Sequence, residues 1–224
     1  MTEPDVAITD FLLAAEAFVF VAVLCRRSAW TFRLGRWLVV FFASVGAASL
    51  CGGLFHGFFL DHPFGYDVLW RAVLIFIGSA TLAKCAVGAE LLFRHRTACV
   101  VTLFAAAGFV AYLLSMLSMA GDFRIAVAFN LPGAVFLLIA FAIASRRARD
   151  SRLMAGAAGM ALTLCAGTLQ QWKVGLHPAY FNHNAVYHLL QGIALFLVFL
   201  AAFRLVQTRT MPSIHPGDAH EHAS

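Results

Sequence analysis

The sequence predicts an all-α membrane protein with seven transmembrane helices. Hydrophobic residues make up 62% of the 224 positions and charged residues only 12%, whereas charged residues are about 25% of a typical soluble protein. The apolar residues are also gathered into stretches of about 20 residues, the length that crosses a bilayer. Arginines mark alternate connections between these stretches. These three observations together predict a polytopic membrane protein.

Seven apolar segments follow one another along the chain. We place them at 6–25, 37–60, 67–93, 97–119, 124–145, 153–172 and 184–206. In the fifth segment Asn130 and Pro132 predict a kink, which a membrane helix tolerates because neighbouring groups satisfy the freed carbonyl. No internal repeat or linker stands out. We therefore expect one transmembrane domain over residues 1–208, followed by a polar, disordered cytoplasmic tail at 209–224.

The arginines predict the orientation of the helices. They follow the first, third, fifth and seventh segments, whereas the opposite connections hold only Arg124 and Lys173. Because cytoplasmic loops of membrane proteins carry an excess of Lys and Arg, we expect the N-terminus outside and the C-terminus inside. The acidic start MTEPD lacks the basic region of a cleaved signal peptide, so the first segment is expected to be retained. The protein is therefore expected in a cell membrane as a multi-pass protein.

Polar side chains gather at the predicted outer ends of the helices. His56 lies late in the second helix, Asp67 opens the third, and Gln170 and Gln171 end the sixth. The seventh opens with a run of polar residues, His183, Asn184 and His188. Ionisable groups inside membrane helices are costly, so each is a candidate functional residue. Four helix ends with polar groups at one depth predict a single site.

Three histidines in this layer form a candidate zinc site, namely His56, His183 and His188. Three protein ligands with an open position for water have the form of a catalytic zinc site. Asp67 would orient a ligand or act on the water. Asn184, His188 and Gln191 follow one helical face. His183 is about 140° from His188 on a helix, so it reaches the site only if the helix begins after it, with Asn182 or Asn184 as N-cap.

Other polar residues in the apolar segments have structural interpretations. Glu16 and Lys84 are typical of buried polar partners or of a buried ion pair, and Asp10 falls near the outer polar cluster. Arg71, one turn after Asp67, is placed to neutralise it. Asn184 alone is more typical of a helix cap than of a metal ligand. These interpretations compete with functional roles for the same residues.

The order of these motifs resembles the CREST superfamily, which includes alkaline ceramidases and the progestin and adipoQ receptors. Its members are seven-helix, zinc-dependent amide or lipid hydrolases, or are suspected to be. The family pattern is a serine four residues before a histidine in helix two, an aspartate near the next helix, and HxxxH in helix seven. Here His56 takes the helix-two position and Asp67 follows by eleven residues. "NAVYHLLQG", 184–192, looks like the helix-seven motif, with His188 as its second histidine.

Two positions depart from the family pattern. Gly52 stands where the family has serine, although Ser49 lies two turns before His56 on roughly the same face. Asn184 stands where the family has its first helix-seven histidine. Either the zinc set has moved by one residue, to His183, or the chain has kept the scaffold and lost the metal. "GGLFHG" with "FNHNAVYHLLQ" also looks like bacterial membrane proteins of this size, so the chain resembles a divergent bacterial member, of the inner membrane.

The resemblance implies a zinc-dependent hydrolase of a lipid amide or ester, acting near the outer leaflet. It implies catalytic roles for Asp67 and Ser49, metal ligation by the three histidines, and supporting roles for Asn184 and Gln191. The alternatives are a non-catalytic sensor or lipid-binding protein on the same scaffold, or a small transporter using Glu16 and Lys84. Membrane lipids are the expected partners. The sequence shows no basic and aromatic surface for nucleic acid, and it does not define an oligomeric state.

Overall fold

The fold is a bundle of seven long helices. The computed structural model describes residues 1–118, 123–177 and 181–210, and this part of the chain is helical apart from its connections. The helices are α1 Pro4–Arg26, α2 Arg33–Leu54, α3 Arg71–Leu92, α4 His95–Ser118, α5 Phe123–Ala148, α6 Ser151–Gln171 and α7 His183–Thr210. All seven are long and apolar enough to cross a membrane. The predicted all-α fold and the seven predicted segments are therefore confirmed.

The last helix extends past residue 208, the predicted end of the transmembrane domain. α7 continues to Thr210, so it includes the first two residues that the sequence assigned to the polar tail. The remainder of that tail, 211–224, lies outside the described residues. The orientation of the helices in a membrane stays a prediction, which rests on the arginines.

Two π-helical segments lie between α2 and α3. Phe55–Phe59 continues α2 and Gly65–Trp70 leads into α3, with a short turn between them. Hydrogen bonds in a π-helix join residues five apart, and such segments are frequent at functional sites. The turn requires glycine, because a Cβ atom at Gly65 would overlap the carbonyl oxygen of Phe59. This arrangement sets the directions of His56 and Asp67.

Six of the helices surround a common interior. α1 packs against α2 and α7, α2 against α3, α3 against α5, α5 against α6, and α6 against α7. The largest side chains buried in the core include Phe42, Phe141 and Met160. α4 lies outside this ring, chiefly against α3, and exposes apolar side chains such as Leu103 and Phe104. Such a face is suited to contact with lipid.

Ion pairs join helices at the end of the bundle opposite the start of α1. Asp150, between α5 and α6, accepts a hydrogen bond from Arg204 of α7, with 2.6 Å between Oδ2 and Nε. Its other oxygen accepts the backbone N–H of Arg152 and caps α6. Arg33 of α2 contacts Glu90 of α3 at 3.1 Å. The hydrogen bond from Arg204 holds the pKa of Asp150 below its ordinary value.

A polar contact joins α3 to α5 near the middle of the bundle. Asn130 Oδ1 accepts hydrogen bonds from Thr81 Oγ1, at 2.9 Å, and from the Lys84 ammonium. α5 is continuous through Pro132, two residues further on. Lys84 thus has a neutral partner, and the ion pair with Glu16 that the sequence offered as one interpretation is not formed.

Candidate functional site

A cavity of about 610 Å³ opens into the bundle between α1, α2, α3, α5, α6 and α7. Small-molecule sites are typically about 300–1,000 Å³. Its walls are mostly apolar, from residues such as Leu13, Phe76, Leu131 and Leu164. Most of its polar groups cluster where α1 and α7 begin, and we call this region the polar end of the cavity; Lys84 and Asn130 line it farther inside. A cavity of this kind fits a ligand with an alkyl chain and one polar group.

His188 of α7 faces two side chains of α1 at the polar end. Its Nε2 lies 3.4 Å from Asp10 Oδ1, and its Nδ1 lies 3.2 Å from Thr9 Oγ1. The Thr9 hydroxyl donates its proton to backbone carbonyls one turn earlier, so it accepts from Nδ1–H of His188. In the neutral tautomer with its proton on Nδ1, His188 presents the lone pair of Nε2 to the carboxylate oxygen of Asp10. Two acceptors that face each other in the interior of the bundle require a proton or a cation between them.

His56 is held in the same manner by the start of the chain. Its Nδ1 lies 2.6 Å from Glu3 Oε2, a short distance typical of a charge-assisted hydrogen bond. The backbone N–H of Glu3 also donates to the carbonyl of His56, at 3.1 Å. The ring is therefore fixed through Nδ1, and His56 lines the cavity together with His188 and Asp10.

Asp10 occupies space that a glycine leaves on α2. A Cβ atom at Gly52 would lie 2.8 Å from Asp10 Oδ2, inside normal contact distance. Asp10 is only 4% exposed, so the carboxylate is enclosed between α2 and α7. Gly52 is the position at which the CREST motif that the sequence resembles has serine. The polar group at this place therefore comes from α1 instead of α2.

The start of α7 is fixed by asparagines. Asn182 Oδ1 accepts the backbone N–H groups of Asn184 and Ala185, at 2.9 and 3.2 Å, and is the N-cap of the helix, one of the two caps predicted. The Asn182 N–H donates to Asp5 Oδ2 of α1 at 3.1 Å. Asn184 Oδ1 accepts from Gln170 Nε2 of α6 at 3.2 Å. The amide of Asn184 thus joins α7 to α6.

Gln191 brings an unpaired acceptor to the cavity. Its Nε2 lies 3.4 Å from Thr163 Oγ1 of α6, whereas its Oε1 is buried and has no hydrogen-bond partner in the described part of the chain. An unsatisfied buried acceptor costs about 1–3 kcal/mol. Because Gln191 lines the cavity, a donor group on a ligand would relieve this cost.

The structure brings most of the predicted residues to one cavity. Those that line it are Ser49, His56, His183, Asn184, His188 and Gln191. Asp67 is not among them: it is exposed, on the π-helical segment before α3. The prediction from the sequence assumes a regular helix through Asp67. The π-helical turns instead leave its side chain exposed and outside the cavity lining. Over residues 1–118, 123–177 and 181–210, no three His, Cys, Asp or Glu side chains lie close enough together to hold a metal ion as placed.

Asp10 is the residue whose role the sequence left unassigned. From the sequence, Asp10 only falls near the outer polar cluster, although a lone aspartate inside an apolar helix is a strong signal of a functional or paired group. Its partner, His188, is 178 positions later in the chain. Only the packing of α1 against α7 reveals that pairing.

In the described part of the chain, fold and site define a bundle of seven membrane-length helices, with a buried aspartate paired to a partly buried histidine in an amphipathic cavity. The chain belongs to a family of unknown function, DUF6962, whose profile matches residues 6–207. No curated protein and no solved structure matches it significantly.

Proposed function

We propose that the protein is a membrane-embedded, metal-dependent hydrolase of lipid amides. The observation that carries the proposal is the 3.4 Å separation between Asp10 Oδ1 and His188 Nε2. In a tetrahedral zinc site with bonds of about 2.0–2.1 Å, neighbouring donor atoms are about 3.3–3.4 Å apart. The two facing acceptors thus have the spacing of two zinc ligands.

The hydrogen bonds of both histidines support this assignment. A metal-ligating histidine usually donates its other ring N–H to a carboxylate or another oxygen, which fixes the tautomer. Glu3 does this at Nδ1 of His56, and Thr9 does so at Nδ1 of His188. We therefore propose Asp10, His56 and His188 as the ligand set, with Asp10 in the role that the sequence gave to His183. His56 has to close on the Asp10–His188 pair when the metal binds.

The remaining groups of the cavity fit an amide substrate. Zinc would supply a water acidic enough to attack a carbonyl near neutral pH. Gln191 Oε1 is placed to accept the amide N–H of the substrate, a donor that an ester lacks. The apolar walls take the acyl chain, and the Ser49 hydroxyl is a further polar group beside it. The resemblance to the CREST hydrolases supports the same chemistry.

The apolar helices and the arginines of the connections support a location and an orientation for the protein in a membrane. We propose a multi-pass protein of a bacterial inner membrane, with the polar end of the cavity in the outer leaflet. The arginines in the connections at the other end of the bundle support this orientation. The lipid substrate would then enter from the bilayer.

Metal analysis of detergent-purified protein tests the ligand set. We expect about one zinc per chain in the wild type, and a fall of tenfold or more in zinc affinity in Asp10→Asn, His56→Ala and His188→Ala. Asp67→Asn and His62→Ala are matched controls, because both residues are exposed, and these variants should keep the metal. Zinc-dependent release of fatty acid from an N-acyl amide then tests the reaction.

Two results would contradict the proposal. One is wild-type protein without stoichiometric metal after zinc loading. The other is equal metal binding by Asp10→Asn and the wild type, which would mean that His183 and not Asp10 is the third zinc ligand.

A non-catalytic lipid sensor is the second candidate function. It is favoured by the separation of His56 from the Asp10–His188 pair, since no three donors meet in the described structure. A sensor predicts saturable lipid binding with no fatty-acid release in zinc-loaded protein, whereas the hydrolase predicts release that stops when a chelator is added.

A further inference from the structure

Lys84 brings a positive charge into the apolar interior of the bundle. It is only 5% exposed and lines the cavity. Its ammonium donates to Asn130 Oδ1, a neutral amide oxygen that also accepts from Thr81. No carboxylate lies within 4.0 Å of it among the described residues. A buried charge without an opposite charge is costly. An anion bound from outside the chain would therefore stabilise the charged form of Lys84.

Lys84 is well separated from the polar end of the cavity. Asp10 lies against Gly52 of α2, and Ser44 Oγ of α2 lies 2.9 Å from Ser79 Oγ of α3. From residue 52 to 44 and from 79 to 84 both helices run away from the polar end, for a total of about 20 Å at a rise of 1.5 Å per residue. The charge of Lys84 therefore belongs to a second, deeper part of the cavity.

We propose that this deeper part binds the carboxylate of an amphipathic anion, a fatty acid in chemical class. One carboxylate neutralises one ammonium, whereas a phosphate monoester carries a charge of about −1.5 to −2 and would leave an excess of negative charge. The Asn130 side chain, anchored by Thr81, holds the ammonium in place. Apolar side chains beside it, including Ile77, Val127 and Leu131, line the path of the alkyl chain.

The inference is independent of the metal site. It uses neither Asp10, His56 nor His188, and the deep anion site exists whether the polar end holds zinc or not. An anion bound there would occupy the volume that an acyl substrate needs, so it would also compete with substrate.

Binding of dodecanoate and dodecanol to the purified chain in an uncharged detergent tests the proposal. The two ligands have the same alkyl chain and differ in charge at about pH 7, where ordinary carboxylic acids are ionised. We expect the wild type to bind dodecanoate about tenfold more tightly than dodecanol, the effect of one charge-assisted hydrogen bond. Lys84→Met should remove this preference and leave dodecanol binding unchanged.

The control variants distinguish carboxylate binding at Lys84 from binding at other cationic side chains. Lys173→Met, in an exposed connection, and His188→Ala should both keep the preference for dodecanoate, and Lys84→Arg should keep it because the charge remains. Equal wild-type affinities for the two ligands would overturn the proposal without any variant. A preference that survives in Lys84→Met would overturn it as well, because the carboxylate would then bind elsewhere.

Discussion

The carboxylate of Asp10 packs directly against Gly52, where a Cβ atom would lie 2.8 Å from Oδ2. The glycine leaves the space that Asp10 fills. Asn184 hydrogen-bonds to Gln170 of α6, and His188 is the imidazole beside Asp10. At this scale the proposed site depends on the glycine at position 52 as much as on its ligands.

Gly52→Ser should weaken metal binding without unfolding the protein. The new Cβ would press on Asp10 Oδ2, and since a carboxylate at the end of a side chain can rotate away, its contact with His188 is what is lost. We expect zinc affinity to fall about tenfold, as for loss of an orienting group, measured by zinc titration. Gly167→Ser is the matched control, because a Cβ there meets nothing within 4 Å. Unchanged affinity in Gly52→Ser would argue against Asp10 as a ligand.

Gln191→Leu should change the choice between amide and ester substrates. The variant removes the buried acceptor that we assign to the amide N–H, so kcat/KM for an N-acyl amide should fall about tenfold, equivalent to about 1.4 kcal/mol. The value for an ester of the same acyl chain should stay within about twofold of the wild type. Thr163→Val is the control: it removes the other partner of Gln191 and should leave the amide-to-ester ratio unchanged. An equal fall for both substrates would contradict the assignment.

Small residues decide how closely α6 and α7 approach at the element scale. A Cβ at Gly159 of α6 would lie 2.5 Å from the carbonyl oxygen of Ala194 in α7, and one at Gly156 would lie 2.8 Å from the Ala201 side chain. Helices in membranes associate through such small-residue contacts, because lipid gives no hydrophobic drive for their association. The close approach keeps Gln191 beside Thr163.

One substitution should have opposite effects at two glycines of α6. Gly159→Ala should lower the free energy of unfolding by about 1–3 kcal/mol, because the methyl group meets fixed backbone of α7. Gly167→Ala should raise it by about 0.4–1 kcal/mol, because its site is open and alanine restricts the unfolded chain. Denaturant unfolding in detergent, followed by circular dichroism, measures both. A stable Gly159→Ala variant would show that α6 and α7 pack less closely than described.

The Asp150–Arg204 pair should make stability depend on pH at the opposite end of the bundle. The pKa of Asp150 is lower in the folded protein than its ordinary value, so the unfolded state takes up its proton first as pH falls. The stabilisation is therefore complete above the unfolded pKa, about 3.9, and is lost as pH falls through the folded value.

The test compares melting temperatures of the wild type and Asp150→Asn. Asparagine keeps an N-cap acceptor for α6, so the variant isolates the charge. We expect the variant to melt lower at neutral pH, and the difference to shrink below about pH 4. A difference that is constant with pH would mean that the ion pair does not stabilise the bundle.

The orientation of the whole molecule can be tested with reporter fusions. If the N-terminus is outside, alkaline phosphatase fused after Val174, beyond α6, should be active on the outer side, and the same enzyme fused after Arg209, at the end of α7, should be inactive. A green fluorescent protein fused after Arg209 should fluoresce in the cytoplasm. The opposite pattern would place the polar end of the cavity inside and overturn the proposed entry of substrate from the outer leaflet.

The sequence by itself determined the seven helices and the layer in which the polar residues lie. A bilayer requires about 20 apolar residues for each span, so the spans and the exceptional polar residues within them are visible without any structure. The shared cavity of His56, His188 and Gln191 followed from that layer. The resemblance to the CREST hydrolases stays a prediction.

The tertiary structure decided which polar residues meet. Depth in a membrane can be counted along a sequence, whereas the direction in which a side chain points depends on how helices rotate and pack. For that reason the π-helical turns leave Asp67 exposed, and the contact of α1 with α7 brings Asp10 to His188. The partner of Lys84 proved to be Asn130 rather than Glu16, because α3 faces α5 at that depth.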